Sequence, residues 1–222
     1  MKTTVIIPTY NGAHKILFAL RSLESQTRPP DEVVVIIDGS SDHTHALLGN
    51  ESFSLKDLKI INQENTGRAR VRNNGALHAT GDLLVFMDDD MVARNNWLQA
   101  HVEHHEANPL TILTGSALVP ETAADADYQK FKIFLSYKWT ARLKQYDRQP
   151  LPKDALFLSA ANFSIPKLLF TNLNGFDASL NDVEDYDLAL RALAQSTLVY
   201  YSAAADAWHK ETATCAQAIK RT

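Results

Sequence analysis

Three uninterrupted apolar runs constrain the fold of this chain more than any other feature. They occupy residues 5–7, 33–37 and 83–87, and the segments between them carry helical patterns. A strand that is apolar throughout is buried on both faces, whereas a half-exposed strand alternates apolar and polar side chains. Buried strands that alternate with helices are typical of a mostly parallel sheet with helices on both faces. The sequence therefore predicts an α/β fold.

The remaining segments extend this pattern along the whole chain. Ile16, Leu20 and Leu23 recur at i, i+4 and i+7, the spacing of one helix face. We predict further helices over residues 42–48, 69–79, 96–107, 123–145 and 183–195, and further strands over residues 58–61, 111–119, 156–165 and 197–201. Because no low-complexity linker or internal repeat divides the chain, we expect one domain of two abutting halves, residues 1–100 and 101–222, that share one sheet.

Charge and cysteine content exclude several classes of protein. The 222 residues include 22 Lys and Arg against 26 Asp and Glu, a formal net charge of −4 without basic runs, which argues against nucleic-acid binding. No stretch of about 18 apolar residues is present, so we predict no membrane-spanning helix. Cys215 is the only cysteine, and the absence of internal disulfides favours a reducing, cytoplasmic setting.

Acidic residues follow two of the predicted strands directly. Asp88-Asp89-Asp90 comes after residues 83–87, and Asp38 comes after residues 33–37. Ligands bind at the carboxyl ends of parallel strands, and carboxylate oxygens suit Mg²⁺ or Mn²⁺. In an extended segment Asp88 and Asp90 point to one side and Asp89 to the other. A solvated acidic turn is the alternative for the triplet, and a structural turn is the alternative for Asp38.

A second acidic pair, Glu184-Asp185, lies where the predicted helix over 183–195 begins. The helix dipole stabilises carboxylates in a first turn, which is their usual explanation. The same dipole keeps one of them ionised as a general base at neutral pH. Spacing alone does not decide between these two roles.

The histidines give a weaker indication of a site. His101 and His105 lie at i, i+4, as in zinc helices, but the motif His-Glu-x-x-His is absent and no third ligand is evident. We therefore predict that His101, His104 and His105 lie on an exposed polar helix face. His209 beside Trp208 favours a packed histidine when taken alone.

Taken in order, six blocks of this chain resemble the family 2 glycosyltransferases, which have the GT-A fold. The blocks are VIIPTYN (5–11), VVIIDGSSD (34–42), NTGRARVRN (65–73), GDLLVFMDDD (81–90), NGFD (174–177) and EDYDLALR (184–191). Each block alone is a weak indication of the family. Six blocks in the right order and spacing are a strong one, and the resemblance spans nearly the whole chain. The resemblance implies an inverting transferase that moves one sugar from a nucleoside-diphosphate sugar to an acceptor hydroxyl.

The resemblance also implies roles for individual residues in the half over 1–100, which would bind the donor. The residues around the nucleotide would be Thr9, Tyr10, Asn11, Asp38, Asn65, Gly67, Arg68, Arg72, Asp88 and Asp89. Asp88 and Asp90 match the Asp-x-Asp motif of the family, which holds a Mn²⁺ or Mg²⁺ ion against the diphosphate. His209 falls where many GT-A enzymes place a late metal-binding histidine, so the resemblance raises it to a candidate ligand.

The half over 101–222 would bind the acceptor and supply the base. Asp185 matches the catalytic base of the family, and Glu184 would help to position the acceptor. Asp187 is a rival base, which would point elsewhere on the helix. The donor nucleotide stays open among UDP, GDP and dTDP, with a UDP-sugar preferred, and the acceptor would be a glycan or a lipid-linked saccharide.

The chain departs from the family pattern at two points. Ile37 precedes a single Asp38 where the family commonly has two aspartates, and Asp38 matches the ligand-binding one. The Gln-x-x-Arg-Trp motif of processive synthases is absent, which favours transfer of a single sugar and allows at most peripheral membrane contact. The −4 charge gives no electrostatic help toward anionic lipids.

Two alternatives remain beside this interpretation. A sugar-nucleotide nucleotidyltransferase would need a Gly-rich loop with Arg and Lys after the first strand, where this chain has Thr9-Tyr10-Asn11-Gly12. An inactive module could bind nucleotide sugars or glycans without turnover. The presence of Asp88, Asp90 and Asp185 argues against such a module.

Overall fold

In the computed structural model, which describes residues 1–121, 127–180, 182–210 and Cys215, one eight-stranded sheet organises the chain. The strands are β1 (Thr3–Thr9), β2 (Glu32–Asp38), β3 (Leu58–Gln63), β4 (Leu83–Met87), β5 (Met91–Ala93), β6 (Ile112–Leu118), β7 (Asn162–Pro166) and β8 (Val199–His209). Their order across the sheet is β3-β2-β1-β4-β7-β6-β8-β5. Four neighbouring pairs are parallel and three are antiparallel, so the predicted mostly parallel sheet, shared by both halves of the chain, is confirmed.

Helices cover both faces of this sheet, as predicted. They are α1 (Ile16–Glu24), α2 (Thr44–Asn50), α3 (Arg68–His78), α4 (Trp97–Ala107), α5 (Asp127–Lys144), α6 (Lys167–Asn172) and α7 (Glu184–Ala194). Helices α1 and α4 pack in the core on one face. Helices α3, α6 and α7 contribute to the core on the other face.

The central strand β1 explains why its sequence is apolar without alternation. Val5 and Ile7 belong to the core on the α1 side, and Ile6 belongs to the core on the α7 side. All three side chains are 0% exposed. Successive side chains of a strand point to opposite faces, so a strand between two helix layers needs apolar residues at every position.

The second half differs from its predicted elements in several places. The predicted strand over 156–165 begins only at Asn162, because residues 156–158 pack against the core as an irregular segment that follows a 3₁₀ turn at Lys153–Ala155. Strand β8 extends to His209, far beyond the predicted end at residue 201. Strand β5 and helix α6 are short elements that the pattern does not predict. Residues 122–126, at the start of the predicted helix over 123–145, lie outside the described residues.

The prediction of an exposed histidine face on α4 is wrong. His101 is 0% exposed and His105 is 4% exposed. His101 Nδ1 and His105 Nε2 each lie 2.8 Å from Ser164 Oγ, and His101 Nε2 lies 3.1 Å from Asn162 Oδ1. Burial lowers the pKa of both imidazoles to about 3, so they are neutral at physiological pH. The polar partners on β7 allow these histidines to face the sheet.

Candidate active site

The loops after β1 and β2 are joined at the carboxyl edge of the sheet. Asn11 has a left-handed backbone (φ 49°), which asparagine tolerates better than most residues. Its backbone N–H donates to Ser40 Oγ (2.9 Å), and its side-chain Oδ1 accepts from the backbone N–H groups of Ser41 (2.8 Å) and Asp42 (3.2 Å). Asn11 therefore fixes the two loops to each other, while the neighbouring Tyr10 is 53% exposed at the surface of the site.

Asp38, at the end of β2, holds the turn that precedes α3. Its Oδ1 accepts from the Thr66 N–H (2.9 Å) and from Gln63 Nε2 (2.6 Å), and its Oδ2 accepts from the Gly67 N–H (3.1 Å). Asn65 Nδ2 donates to the Asp38 carbonyl (3.0 Å). Asp38, Asn65 and Gly67 are thus brought together, with Asp38 4% exposed in the base of the turn.

Asp89 lies in a pocket made by Thr9, Gly12 and Lys15. Thr9 Oγ1 donates to Asp89 Oδ2 (2.6 Å), and Lys15 Nζ lies 2.8 Å from Asp89 Oδ1. A Cβ on Gly12 would lie 2.0 Å from Thr9 Oγ1 and 2.6 Å from Asp89 Oδ2, so the pocket requires glycine there. Burial raises the pKa of Asp89 to about 6, against the opposing effect of Lys15. Thr9 and Asp89 support the loop from within, since both are buried.

Asp90 and His209 meet where β5 pairs with β8. Asp90 Oδ1 lies 3.3 Å from His209 Nε2, and Asp90 Oδ2 lies 3.6 Å from Lys15 Nζ. Burial alone would raise the pKa of Asp90, but the His209 imidazole and the Lys15 ammonium outweigh it and hold the pKa well below its usual range. Asp90 is therefore ionised throughout the physiological pH range.

Asp88 forms its ion pair with Arg72 on α3. Arg72 Nη2 lies 2.6 Å from Asp88 Oδ1, and Arg72 Nη1 lies 2.9 Å from Glu184 Oε1. Arg72 is 6% exposed and Glu184 is 4% exposed. Burial opposes the charge on Arg72, but the carboxylates of Asp88 and Glu184 outweigh it and raise the pKa of Arg72. Arg72 thus joins the acidic loop after β4 to the first turn of α7.

Asp185 is held by two backbone N–H groups. Its Oδ2 accepts from Ala160 (2.9 Å) and its Oδ1 accepts from Tyr186 (2.8 Å). Each oxygen keeps a lone pair with which it could accept a substrate hydroxyl. The rival Asp187 pairs with Arg191, whose Nε lies 2.8 Å from Asp187 Oδ2, so the prediction that Asp187 points elsewhere on α7 is confirmed.

The loops after β1, β2 and β4 and the first turn of α7 therefore converge, but not all candidates meet. Arg68 is half exposed and pairs with Asp182 (3.0 Å), at the outer margin of the site. Lys15, Gly12 and Ala160 are site residues that sequence reasoning missed. No motif could have indicated Lys15 or Ala160, since their partners Asp89 and Asp185 are distant in the chain, and a single glycine such as Gly12 indicates no more than a turn.

The residues fit a divalent cation in part. Among the described residues, no three His, Cys, Asp or Glu side chains converge on one point as a preformed metal site. Asp90 Oδ1 is buried, however, and no donor in the described part of the chain meets it with hydrogen-bond geometry. Mg²⁺ is usually bound by one or two carboxylates together with substrate phosphates, rather than by a cage of protein ligands alone. An ion held by Asp90 and His209 and completed by a diphosphate is consistent with that chemistry.

Comparison with known proteins places these residues in context. The family model described as Glycosyl transferase family 2 matches residues 4–170. A "Glucosyl-dolichyl phosphate glucuronosyltransferase" of Haloferax volcanii is 30% identical over 128 residues, which are 56% of this chain and 40% of that relative. An uncharacterized glycosyltransferase of Haemophilus influenzae is 25% identical over 204 residues, which are 89% of this chain and 64% of that relative. The chain thus spans less than two thirds of either relative.

Solved structures agree with the fold. S. aureus TarS in complex with UDP gives a TM-score of 0.74 at 21% identity, covering 94% of this chain and 60% of that one. The mannosyltransferase PcManGT of Pyrobaculum calidifontis, in complex with GDP-Man and Mn²⁺, gives a TM-score of 0.71 at 22% identity, covering 94% of this chain and 56% of that one. The fold of this chain is therefore the GT-A-like fold of these proteins.

Proposed function

The chain belongs to glycosyl transferase family 2, and we propose that it transfers one sugar from a nucleoside-diphosphate sugar to an acceptor hydroxyl with inversion, Asp185 being the general base. The observation that carries this proposal is the position of Asp185. Its carboxylate is fixed by the N–H groups of Ala160 and Tyr186 at the start of α7, and Arg72 ties that helix to the acidic loop after β4.

The proposed chemistry is a single displacement. Asp185 takes the proton of the acceptor hydroxyl as the acceptor oxygen bonds to the anomeric carbon of the sugar. The bond between that carbon and the diphosphate oxygen breaks on the opposite side, and the nucleoside diphosphate leaves with the electron pair. One displacement of this kind inverts the anomeric configuration.

We propose that Asp90 and His209 hold a Mn²⁺ or Mg²⁺ ion, with Asp88 as a further candidate ligand. When bound, such an ion stabilises the negative charge that develops on the leaving diphosphate. Lys15, 2.8 Å from Asp89, keeps the acidic loop compact by offsetting the repulsion between Asp89 and Asp90. The buried Oδ1 of Asp90, which lies 3.3 Å from His209 Nε2, and the Mn²⁺ in the complex of PcManGT support this assignment.

The donor would lie against the loops after β1 and β2 and the turn before α3. Tyr10 and Arg68 offer exposed side chains at this edge, and Asn11, Asp38, Asn65 and Gly67 shape it. We propose a UDP-sugar as the first donor to test, since TarS was solved with UDP and with UDP-GlcNAc. GDP remains the alternative that the PcManGT complex supports.

Glu184 would act as a positioning residue. Its buried carboxylate accepts from Arg72 and so sets the angle at which α7 presents Asp185. For the acceptor we propose a glycan or a lipid-linked saccharide, because the relative from Haloferax volcanii is named for a dolichyl phosphate substrate.

Thermal unfolding with Mn²⁺ plus UDP, GDP or dTDP tests the donor part of the proposal. A nucleotide at about 100 times its dissociation constant stabilises the native state by about 2.7 kcal/mol. We expect a metal-dependent shift with one nucleotide, lost in Asp90→Asn and kept in Asp57→Asn, an exposed control on the loop before β3. A shift in the wild type without turnover of any sugar nucleotide would instead indicate an inactive binding module.

A further inference from the structure

Helix α5 leaves most of its surface outside the core. Of its eighteen residues, only Thr140 and Leu143 are buried. Phe131 and Phe134 are 55% and 60% exposed, and Trp139 is 48% exposed. Single exposed apolar residues are ordinary, but several large aromatic side chains on one helix indicate an interaction surface.

The exposed aromatic residues share a face with basic residues. Phe131, Phe134, Lys138 and Arg142 follow one another at i, i+3, i+7 and i+11, which places them in a row along the helix. Lys138 Nζ lies 5.9 Å from the centre of the Phe134 ring, and the Arg142 guanidinium lies 5.5 Å from the centre of the Trp139 ring. We call this row, with Trp139 at its flank, the α5 face.

The charge of α5 is opposite to that of the chain. The helix has five basic residues and one acidic residue, a net charge of +4, within a chain whose net charge is −4. The total charge predicts no attraction to anionic lipids, but the positive charge is concentrated on one helix beside exposed aromatic rings. Charge complementarity therefore favours an anionic partner for the α5 face.

We propose that the α5 face binds the surface of an anionic phospholipid bilayer. Helices that lie in the membrane interface combine exposed aromatic rings, which enter the headgroup region, with Lys and Arg, which meet the lipid phosphates. The α5 face is on the side of the helix away from the sheet. On the opposite side, Ser136 Oγ accepts from the Val119 N–H (3.2 Å), and Thr140 and Leu143 are buried.

The position of α5 connects this surface to the acceptor side of the site. Trp139 stacks on Phe157 with ring centres 6.4 Å apart, and Arg142 Nη2 donates to the Asp154 carbonyl (2.9 Å). The segment that they contact runs on to Ala160, whose N–H holds Asp185. A helix lying on a bilayer would keep Asp185 near lipid-linked acceptors, and this consequence rests on the proposed function.

Vesicle sedimentation tests the proposal without any need for turnover. The chain is mixed with vesicles of phosphatidylcholine alone or of phosphatidylcholine with phosphatidylglycerol. We expect binding to the anionic vesicles only, weakened on the order of tenfold by Lys138→Glu and also weakened by Phe134→Ser. The matched controls are Lys56→Glu and Leu77→Ser, which change exposed residues on other surfaces and should bind as the wild type does.

Three outcomes would overturn the proposal: no binding to anionic vesicles, equal loss in the variants and their controls, or a concentration-dependent dimer abolished by Phe134→Ser without vesicle binding. The last would assign the α5 face to a second copy of the chain. Thermal unfolding of each variant checks that it is folded. Because no sugar nucleotide is present, failure here is distinct from failure of the proposed transfer activity.

Discussion

Arg72 and Glu184, 112 residues apart in the chain, form a buried ion pair with 2.9 Å between Nη1 and Oε1. The other terminal nitrogen of the same guanidinium holds Asp88. The pair therefore connects the two acidic motifs of the site through a positive charge that lies between them. Since both members are almost wholly buried, the arrangement is sensitive to the loss of either one.

Replacing Arg72 tests how much this connection stabilises the protein. Arg72→Met leaves the Glu184 carboxylate buried without its cation, and we expect the free energy of unfolding to fall by about 3 kcal/mol or more. Arg68→Met on the same helix removes an exposed pair with Asp182 and should cost less than about 1 kcal/mol. Urea unfolding of both variants gives the comparison. Adding Glu184→Gln to Arg72→Met should restore part of the loss, and equal stability of the two single variants would contradict the account.

The close contact at Gly12 gives a second prediction. In Gly12→Ala the new methyl group meets Thr9 and Asp89, so we expect a loss of about 1–3 kcal/mol in unfolding free energy and weaker metal-dependent nucleotide binding. Gly49→Ala is the control, since nothing lies within 4 Å of a Cβ there and α2 should gain up to about 1 kcal/mol. Thermal unfolding and nucleotide titration measure both effects. If Gly12→Ala and Gly49→Ala had the same free energy of unfolding, the prediction that the pocket around Asp89 cannot accommodate a methyl group would be contradicted.

The buried histidines of α4 predict the pH dependence of stability. The pKa values of His101 and His105 are lowered by burial to about 3, against about 6.5 in the unfolded chain. Between these values the unfolded state binds more protons, so stability falls as the pH drops from 6.5 toward 3. At pH 5 the expected loss is about 2 kcal/mol for each histidine.

Urea unfolding at pH 7 and pH 5 measures this loss. In His105→Gln about a third of the histidine-dependent difference should disappear, since burial also lowers the pKa of His104, to about 4, whereas His45→Gln, at an exposed position, should leave it unchanged. Stability that does not change between the two pH values would contradict the buried neutral state of the two imidazoles.

The first half of the fold was predictable because its strands lie between two helix layers. Every residue of β1, β2 and β4 must then be apolar or specifically satisfied, and the sequence displays this directly. Strand β8 was predicted too short, because the small residues 203–205 have little strand preference of their own. Pairing with β6 skips residues 203–205, because Gly115 pairs with Ser202 and Ser116 pairs with Asp206, and the resumed pairing carries the strand on to His209.

The candidate site was predictable as a set of motifs but not as a set of contacts. An acidic triplet after a strand and carboxylates in a first helical turn can be recognised from the sequence, so Asp88, Asp90 and Asp185 could be predicted as site residues. That Asp88 faces Arg72 while Asp90 faces His209 depends on the direction in which each side chain leaves the loop. The same holds for His101, whose polar partners Asn162 and Ser164 lie on a strand about 60 residues away.

The anomeric configuration of the sugar released by donor hydrolysis tests the central claim most directly. Nucleoside-diphosphate sugars with an α linkage are incubated with the chain and Mn²⁺, and the first sugar released is observed by proton NMR. We expect the wild-type chain to release the β anomer first. In Asp185→Asn the rate of release should fall about 10²–10⁴-fold. In Asp187→Asn, whose carboxylate pairs with Arg191, the rate should stay close to that of the wild type. Release of the α anomer first, or an unchanged rate in Asp185→Asn, would contradict a single displacement assisted by Asp185.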